Sequence, residues 1–185
     1  LRVDEIADVF DVLEVLAKHP RPVGNRLTIV TNAGGPGVLA TDALITGGGE
    51  VSEISPATME ELNSFLPGPW SHNNPIDIIG DAPPDRYAKA LEVAARDEGS
   101  DGLLVILTPQ AMTDPTQVAR RVIELGKATE KPIVTCWMGE EQVREARLLF
   151  KGAGIPTFRT PDPAVELFSH ISAYYRNQKL LMQAP

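Results

Sequence analysis

Ile29-Val30-Thr31-Asn32-Ala33-Gly34-Gly35-Pro36-Gly37-Val38-Leu39-Ala40 decides how the chain is read. An apolar run ends in three glycines and a proline, and apolar residues resume at once beyond them. This is the pattern of a buried strand turning into a helix. Glycine lets the backbone approach a ligand closely and take positive φ without a Cβ clash. A helix start leaves unpaired N–H groups and about half a positive charge aimed at the turn. Open α/β sheets bind their ligands at this carboxyl end of the strands. Asn32, Ala33, Gly34, Gly35, Gly37 and Val38 are therefore the candidate phosphate-binding residues. Pro36 lacks an N–H, which favours Gly35, Gly37 and Val38 as donors. The same glycines also suit a tight βα connection that needs them only for packing, and the sequence leaves both readings open. Gly-x-Gly-x-x-Gly is absent and no Lys-Ser or Lys-Thr follows, so the turn is neither the dinucleotide fingerprint nor a P-loop.

Outward from this turn, short apolar runs alternate with amphipathic stretches. Strands are predicted over residues 27–30, 50–54, 103–107, 133–136 and 155–158, and a helix from the glycine turn through about residue 45. Ser55-Pro56, Asp114-Pro115 and Thr160-Pro161 mark three further helix starts. In each, a side-chain oxygen accepts from an orphan N–H, and proline takes the first helical position, where its missing N–H is harmless. Apolar residues then follow at helical spacing, as in Val118, Val122 and Leu125. Strands alternating with helices predict right-handed βαβ units. The expected fold is α/β: a flavodoxin-like, three-layer, doubly wound parallel sheet of about five strands, in order 2-1-3-4-5.

Residues 67–84 interrupt the alternation with five prolines and the Asn73-Asn74 pair. Loops of this length are often functional, and residues 76–79 suggest a short strand at the centre of this one. Asp77 and Asp81 flank Gly80, and Thr108 and Gln110 follow the central strand. All four are candidates for the rim of the same crevice, although turn chemistry is the plainer reading of the two aspartates. Ahead of the main pattern, Ile6, Val9, Phe10, Leu13, Leu16 and Ala17 recur at three- and four-residue spacing. Residues 1–22 are expected to form a lead-in helix and linker, and residues 23–185 the domain.

A formal charge of −8 argues against broad binding to nucleic acid or an anionic membrane, which needs clustered Lys and Arg. Cys136 is the only cysteine, so no intrachain disulfide forms; with no signal-peptide pattern, a cytoplasmic location is expected. In an apolar strand that thiol reads as buried and inert. His72 is the histidine to watch because it lies in the long loop, but no acid partner or metal-ligand spacing accompanies it. His19 reads as a solvated helix-end residue and His170 as a boundary position. Glu140 and Glu141 read as complements to the positive end of a helix after Gly139. Trp70 and Trp137 read as core aromatics before interface residues. No metal ligands are assigned.

The run from Gly24 through Gly37 resembles the signature opening the third domain of ADP-forming acetyl-CoA synthetase subunits. That family includes NDP-forming acyl-CoA synthetases and related protein lysine acetyltransferases. Asn74-Pro75-Ile76-Asp77-Ile78-Ile79-Gly80-Asp81-Ala82 is similar to it as well. So are Leu107-Thr108-Pro109-Gln110-Ala111-Met112-Thr113-Asp114-Pro115 and Gly154-Ile155-Pro156-Thr157-Phe158-Arg159-Thr160-Pro161. The likeness runs in order along nearly the whole chain.

The resemblance implies a succinyl-CoA-synthetase-like flavodoxin domain of a ligase that couples acyl-CoA, ADP and phosphate to acid, CoA and ATP. Acyl phosphate forms first, a histidine takes the phosphoryl group, and an ATP-grasp domain passes it to ADP. In the superfamily, paired helix N-termini from two such domains stabilise the phosphohistidine, and residues 32–37 would form one of them. The implied partners are CoA-binding, phosphohistidine-bearing and ATP-grasp domains or subunits. The full enzyme would use CoA, ADP or ATP, phosphate and Mg, with nothing held tightly by this domain. No counterpart of those domains, and no Ser-His-Thr-Gly-Ser-like motif, occurs here, so no catalytic residue is assigned and the chain alone is not expected to turn over. Two rival readings keep the fold: a scaffold domain of a protein acetyltransferase, and a small-molecule module such as a flavin or nucleotide sensor.

Overall fold

The computed structural model of the chain describes residues 20–183, and a parallel sheet organises them. Its strands are β1 (Arg26–Thr31), β2 (Glu50–Val51), β3 (Ile76–Asp77), β4 (Gly102–Leu107), β5 (Ile133–Trp137) and β6 (Thr157–Phe158). The helices are α1 (Gly34–Thr46), α2 (Pro56–Asn63), α3 (Pro84–Arg96), α4 (Pro115–Ala128), α5 (Arg144–Ala153) and α6 (Pro161–Gln183). The sheet order is β2-β1-β4-β5-β6, with β3 also paired to β1. Counting β2 and β3 as two pieces of one edge strand recovers the expected order.

Both faces of the central strands are covered, which is why they read as continuous apolar runs. Leu27, Ile29, Leu104, Ile106, Val134 and Cys136 pack against α1 and α6. Their neighbours Val30, Leu103, Val105, Leu107, Ile133 and Trp137 pack on the other side, against α2 to α5. Gly102 allows α6 to lie close to the sheet, since a Cβ there would overlap the Phe168 ring. Trp137 stands edge-on to Phe150 and donates to Pro115 O, while Trp70 is 2% exposed, so both tryptophans are core residues.

The edge beside β1 departs from expectation. The strand predicted over residues 50–54 ends at Val51, because Ser55 caps α2 immediately afterwards and accepts from Thr58 N–H. β2 therefore pairs only with Arg26 and Leu27, and β3 returns after the long loop to pair with Val30 and Thr31. Between them the buried carboxamide of Asn74 takes the place of a strand. Its Oδ1 accepts from Ile29 N–H at 2.9 Å, and its Nδ2 donates to Leu27 O at 2.9 Å and Ser52 O at 3.0 Å. Backbone groups that a missing strand would leave unpaired are thus satisfied by one side chain.

Helix α3 was not singled out in the sequence, because its Pro83-Pro84 start closes the proline-rich loop. Its buried Tyr87, Ala90, Leu91 and Ala94 nevertheless recur at helical spacing. The helix expected after Gly139 begins as a short 3-10 turn, Glu141–Val143, and α5 proper starts at Arg144. Glu141 lies in its first turn and Glu140 at its N-cap, as the charge-complement reading expects, though neither forms a side-chain capping bond; Glu140 pairs with Arg159 at 2.9 Å, and Glu141 lies 3.7 Å from Arg144. The predicted lead-in helix and His19 lie outside the described residues. Among those described, no helix is long and apolar enough to cross a membrane.

Candidate functional site

The end of β1 and the start of α1 are joined by two side chains working from behind. Thr31 Oγ1 accepts from Ala33 N–H at 3.0 Å and donates to Ala33 O at 2.9 Å, which folds the strand end into the helix entry. Asn32, 2% exposed, reaches across to the end of β4. Its Nδ2 donates to Thr108 O at 2.8 Å, and its Oδ1 accepts from Thr108 N–H at 2.9 Å and Thr108 Oγ1 at 3.1 Å. The sequence placed Asn32 on a ligand and Thr108 on the rim. Instead the two side chains engage one another, and they hold the helix start at a fixed place on the carboxyl edge of the sheet.

The glycines lie inside α1 rather than in a turn before it. Ala33 is the N-cap, with extended backbone and no side-chain capping bond, and Gly34, Gly35 and Pro36 open the first turn. None of the three turn glycines has positive φ, so the conformational reading of them is overturned. Gly37 is closely packed, since a Cβ there would lie 3.2 Å from both Pro75 Cβ and Thr31 Cγ2. Its N–H donates to Ala33 O at 3.4 Å, and Val38 N–H falls one residue deeper in the helix ladder. Gly37 and Val38 are therefore not the open donors that the sequence suggested. Of the favoured donors Gly35 keeps that position, and Gly34 joins it; both are exposed. An added Cβ at Gly35 would meet nothing within 4 Å, so packing within the domain does not explain that glycine.

Among the described helices, α1 alone has neither a side-chain cap nor an acidic residue in its first turn. Ser55 caps α2 and Asp114 caps α4, while Asp85, Glu145 and Asp162 lie in the first turns of α3, α5 and α6. The positive end of α1 is thus left without an acceptor of its own. One carboxylate borders it: Asp77 Oδ2 lies 3.3 Å from where a Gly34 Cβ would be, and Asp77 Oδ1 accepts from Ile79 N–H at 3.0 Å. Asp77 combines turn chemistry with a place at the rim. Asp81 is instead engaged by Arg86, at 2.5 Å. Gln110 covers Gly80, whose added Cβ would lie 3.8 Å from Gln110 Cδ and 3.7 Å from Asn32 O. Gly34 thus lies beside Asp77, and Gly80 beside Asn32 and Gln110, at the carboxyl edge of the sheet, with Asp81 turned to a salt bridge.

His72 stitches the long loop: Nδ1 lies 2.9 Å from Asn63 Oδ1 and Nε2 lies 2.9 Å from Gly68 O. Burial pushes the Cys136 thiol up to about 12, far from any nucleophilic range at neutral pH. Neither supplies a reactive group to the crevice. The sequence had not assigned the Thr31 clasp or the Asn74 insert. The Thr31-x-Ala33 spacing is that of a hydroxyl bonding two residues along the chain, and this signal was legible. Asn74, by contrast, meets β1 only through tertiary structure.

The chain is 36% identical over 174 residues to acetate–CoA ligase [ADP-forming] I of Archaeoglobus fulgidus, covering 94% of this chain and 24% of that relative. It is 38% identical over 178 residues to acetate–CoA ligase [ADP-forming] of Methanocaldococcus jannaschii, covering 94% and 25%. The chain therefore spans about a quarter of the length of these curated relatives. Among solved structures it matches the dinucleotide-forming acetyl-coenzyme A synthetase 1 of Ca. Korarchaeum cryptofilum, in its complex with phosphate and ADP. The TM-score is 0.92 at 32% identity, covering 99% of this chain and 40% of that one. Residues 27–179 match the model of the Ligase-CoA domain, and the chain belongs to that family.

Proposed function

We propose that this chain is the domain of an ADP-forming acyl-CoA synthetase that presents the start of α1 to a phosphoryl group in transit. The observation that carries this reading is the open helix start at Gly34 and Gly35, held rigidly by Asn32 and Thr31. A doubly charged phosphoryl group suits such a place. Its oxygens take preorganised N–H dipoles that need no reorganisation as charge shifts. In this reading Gly34 and Gly35 N–H contact the phosphoryl oxygens, and Ala33 leaves the entry free of a competing acceptor. Asn32 and Thr108 position the helix start, and Asp77 and Gln110 line the approach of the domain that carries the phosphohistidine. Reaction would run from acyl phosphate to that histidine and on to ADP, with CoA-binding and ATP-grasp domains supplying the remaining sites, in the cytoplasm.

Among the described residues no group of three or more His, Cys, Asp or Glu side chains could hold a metal ion. In this scheme the Mg that accompanies a nucleotide is assigned to the other domains, and no step passes through it here. Helix start and phosphoryl charge act over one turn, with each aimed donor contributing about a hundredfold or more in rate. Gly35→Asp in the complete enzyme places a carboxylate in that space without an intradomain clash. Phosphohistidine formation and turnover should fall by about a hundredfold, with the melting temperature nearly unchanged. Wild-type levels of both would sink the proposal.

A further inference from the structure

At the amino end of the sheet, away from the α1 entry, residues 21–25 and the second half of α6 enclose a pocket of about 390 Å³. One face of α6 lines it, through Ser172, Tyr175, Arg176 and Lys179 at i, i+3, i+4 and i+7. On the opposite wall, Arg21 lies over the Tyr175 ring, 5.3 Å from its centroid. Arg21, Arg176 and Lys179 thus meet in one pocket that no Asp or Glu lines. The chain holds 25 acidic residues against 17 Lys and Arg, so unpaired bases are the exception. Every other described arginine stands in an ion pair, apart from Arg147, which donates to Trp137 O and Gly139 O. Arg21 and Arg176 have no acid partner among the described residues. The nearby carboxylates are otherwise placed. Asp101 lies under Gly24, where an added Cβ would overlap it, but it is held by Arg26 N–H, Nε and Nη2. Glu50, whose N–H donates to Asn25 O, is exposed and does not line the pocket. Nor does the helix dipole account for the cations, since α6 runs on to Gln183 and its last turn holds no basic residue. Ser172 is a further sign of a missing partner. It is 6% exposed, and its Oγ is buried with no hydrogen-bond partner, whereas buried hydroxyls are ordinarily paired.

We propose that this pocket binds a phosphate group, as inorganic phosphate or as the end of a small phosphate ester. A phosphate brings close to two negative charges and at least three acceptor oxygens, which suits three converging cations better than one carboxylate does. Stacking on Tyr175 fixes the plane of the Arg21 guanidinium and leaves its N–H edges free for bidentate contact. Arg176 supplies a second fork, one residue along the same helical face, and Lys179 adds a point charge. Pro22 and Val23, the latter 92% exposed, form an apolar lip where the organic part of an ester would rest. The pocket is separate from the α1 entry: β1, six residues long, spans about 20 Å between them. The inference does not depend on the phosphoryl role of α1.

Backbone amide NMR of the full 185-residue chain tests this. At about 0.15 M salt, charges more than about 8 Å apart at the surface are screened, so saturable binding there requires contact. Titration with inorganic phosphate should shift Val23, Gly24, Asn25 and the amides from Ser172 to Lys179, and the shifts should saturate. Adenosine monophosphate distinguishes the two sources: tighter binding than phosphate assigns an ester, and equal binding assigns the phosphate group alone. Arg21→Gln and Arg176→Gln alter exposed side chains, so the fold is retained, and each should weaken binding about tenfold or more. Arg120→Gln, on α4, should leave the affinity unchanged. Shifts confined to Gly34 and Gly35 would overturn the pocket while leaving the reading of α1 intact. Shifts at the pocket that neither arginine variant weakens would overturn it as well. So would the absence of binding by both probes. If Arg176→Gln then loosened assembly of the complete enzyme, the pocket would belong to an acidic segment of another domain.

Discussion

Helices α1 and α4 both begin on the carboxyl edge of the sheet, one after β1 and the other after β4, and they are built on opposite plans. Asp114 closes α4: its Oδ1 accepts from Thr116 and Gln117 N–H, each at 3.0 Å, and its Oδ2 accepts from Gln117 Nε2 at 3.0 Å. α1 has Ala33 in the equivalent place and no such bond. A helix that serves only the fold gains from an acceptor at its first turn, by about 0.5–2 kcal/mol. α1 forgoes that gain, yet its entry is fastened from behind by Thr31 and Asn32. Rigid placement combined with unsatisfied donors is the arrangement expected where the missing acceptor comes from a ligand.

The largest effect on this contrast should come from the fastening. Asn32→Leu keeps a similar volume but removes three hydrogen bonds to Thr108 and orphans its N–H and carbonyl. Each buried polar group left unpaired costs about 1–3 kcal/mol, so the domain should lose about 2–4 kcal/mol in chemical denaturation. An equal loss from Thr108→Ala, which removes only the hydroxyl contact, would show that the backbone bonds contribute little.

Acid should act next, and at the opposite edge. At the amino end of the sheet, Asp101 accepts from Arg26 N–H at 3.0 Å, Nε at 2.8 Å and Nη2 at 2.9 Å. Asp97 accepts from Ser55 N–H at 2.9 Å and Gly99 N–H at 2.8 Å. Burial alone would push both carboxyls up, but the Thr58 hydroxyl and the Ser55 and Gly99 N–H groups at Asp97, and Arg26 at Asp101, outweigh it and hold both below the usual carboxylate value. Folded values below unfolded ones mean that the stabilisation is complete above about pH 5 and is lost as pH falls through and below the folded values. Asn32 carries no titrating group. Exchange in mild acid should therefore rise first at Arg26 and Asp101, while Thr108 N–H stays protected; simultaneous loss at both edges would mean they are one cooperative unit.

Legibility in the sequence followed the range of the interactions. Continuous apolar runs gave β4 and β5 nearly to the residue, and the Ser-Pro and Asp-Pro starts gave α2 and α4, because burial on two faces and capping are local signals. The split edge was not legible. Asn74 replaces a strand rung only because a loop more than 40 residues from β1 returns to it, and nothing local marks that. At the site, the glycine run pointed to the helix start and to Gly35 as a donor, but also to Gly37 and Val38, which lie deeper in the helix. Spacing does not reveal whether the first helical residue is Gly34 or lies further on, and that choice keeps Gly35 among the open N–H groups, adds Gly34 and removes Gly37 and Val38.

The smallest effects are the two cap exchanges, and their opposite signs test the contrast directly. Asp114→Ala should cost about 1 kcal/mol and leave phosphohistidine formation in the complete enzyme unchanged, since that cap serves the helix alone. Ala33→Ser reverses the experiment. An N-cap side chain accepts from the second or third helical N–H, and the third position here is Pro36, which has none. The introduced hydroxyl therefore has one backbone donor within reach, Gly35 N–H. Thermal denaturation of this chain should show a gain of about 0.5–1 kcal/mol. A phosphoryl group competing for the same N–H would then lose a comparable amount, so turnover of the complete enzyme should fall roughly fivefold. A gain in stability with full turnover would mean that Gly35 N–H is open but unused, and the difference between α1 and α4 would be one of folding alone.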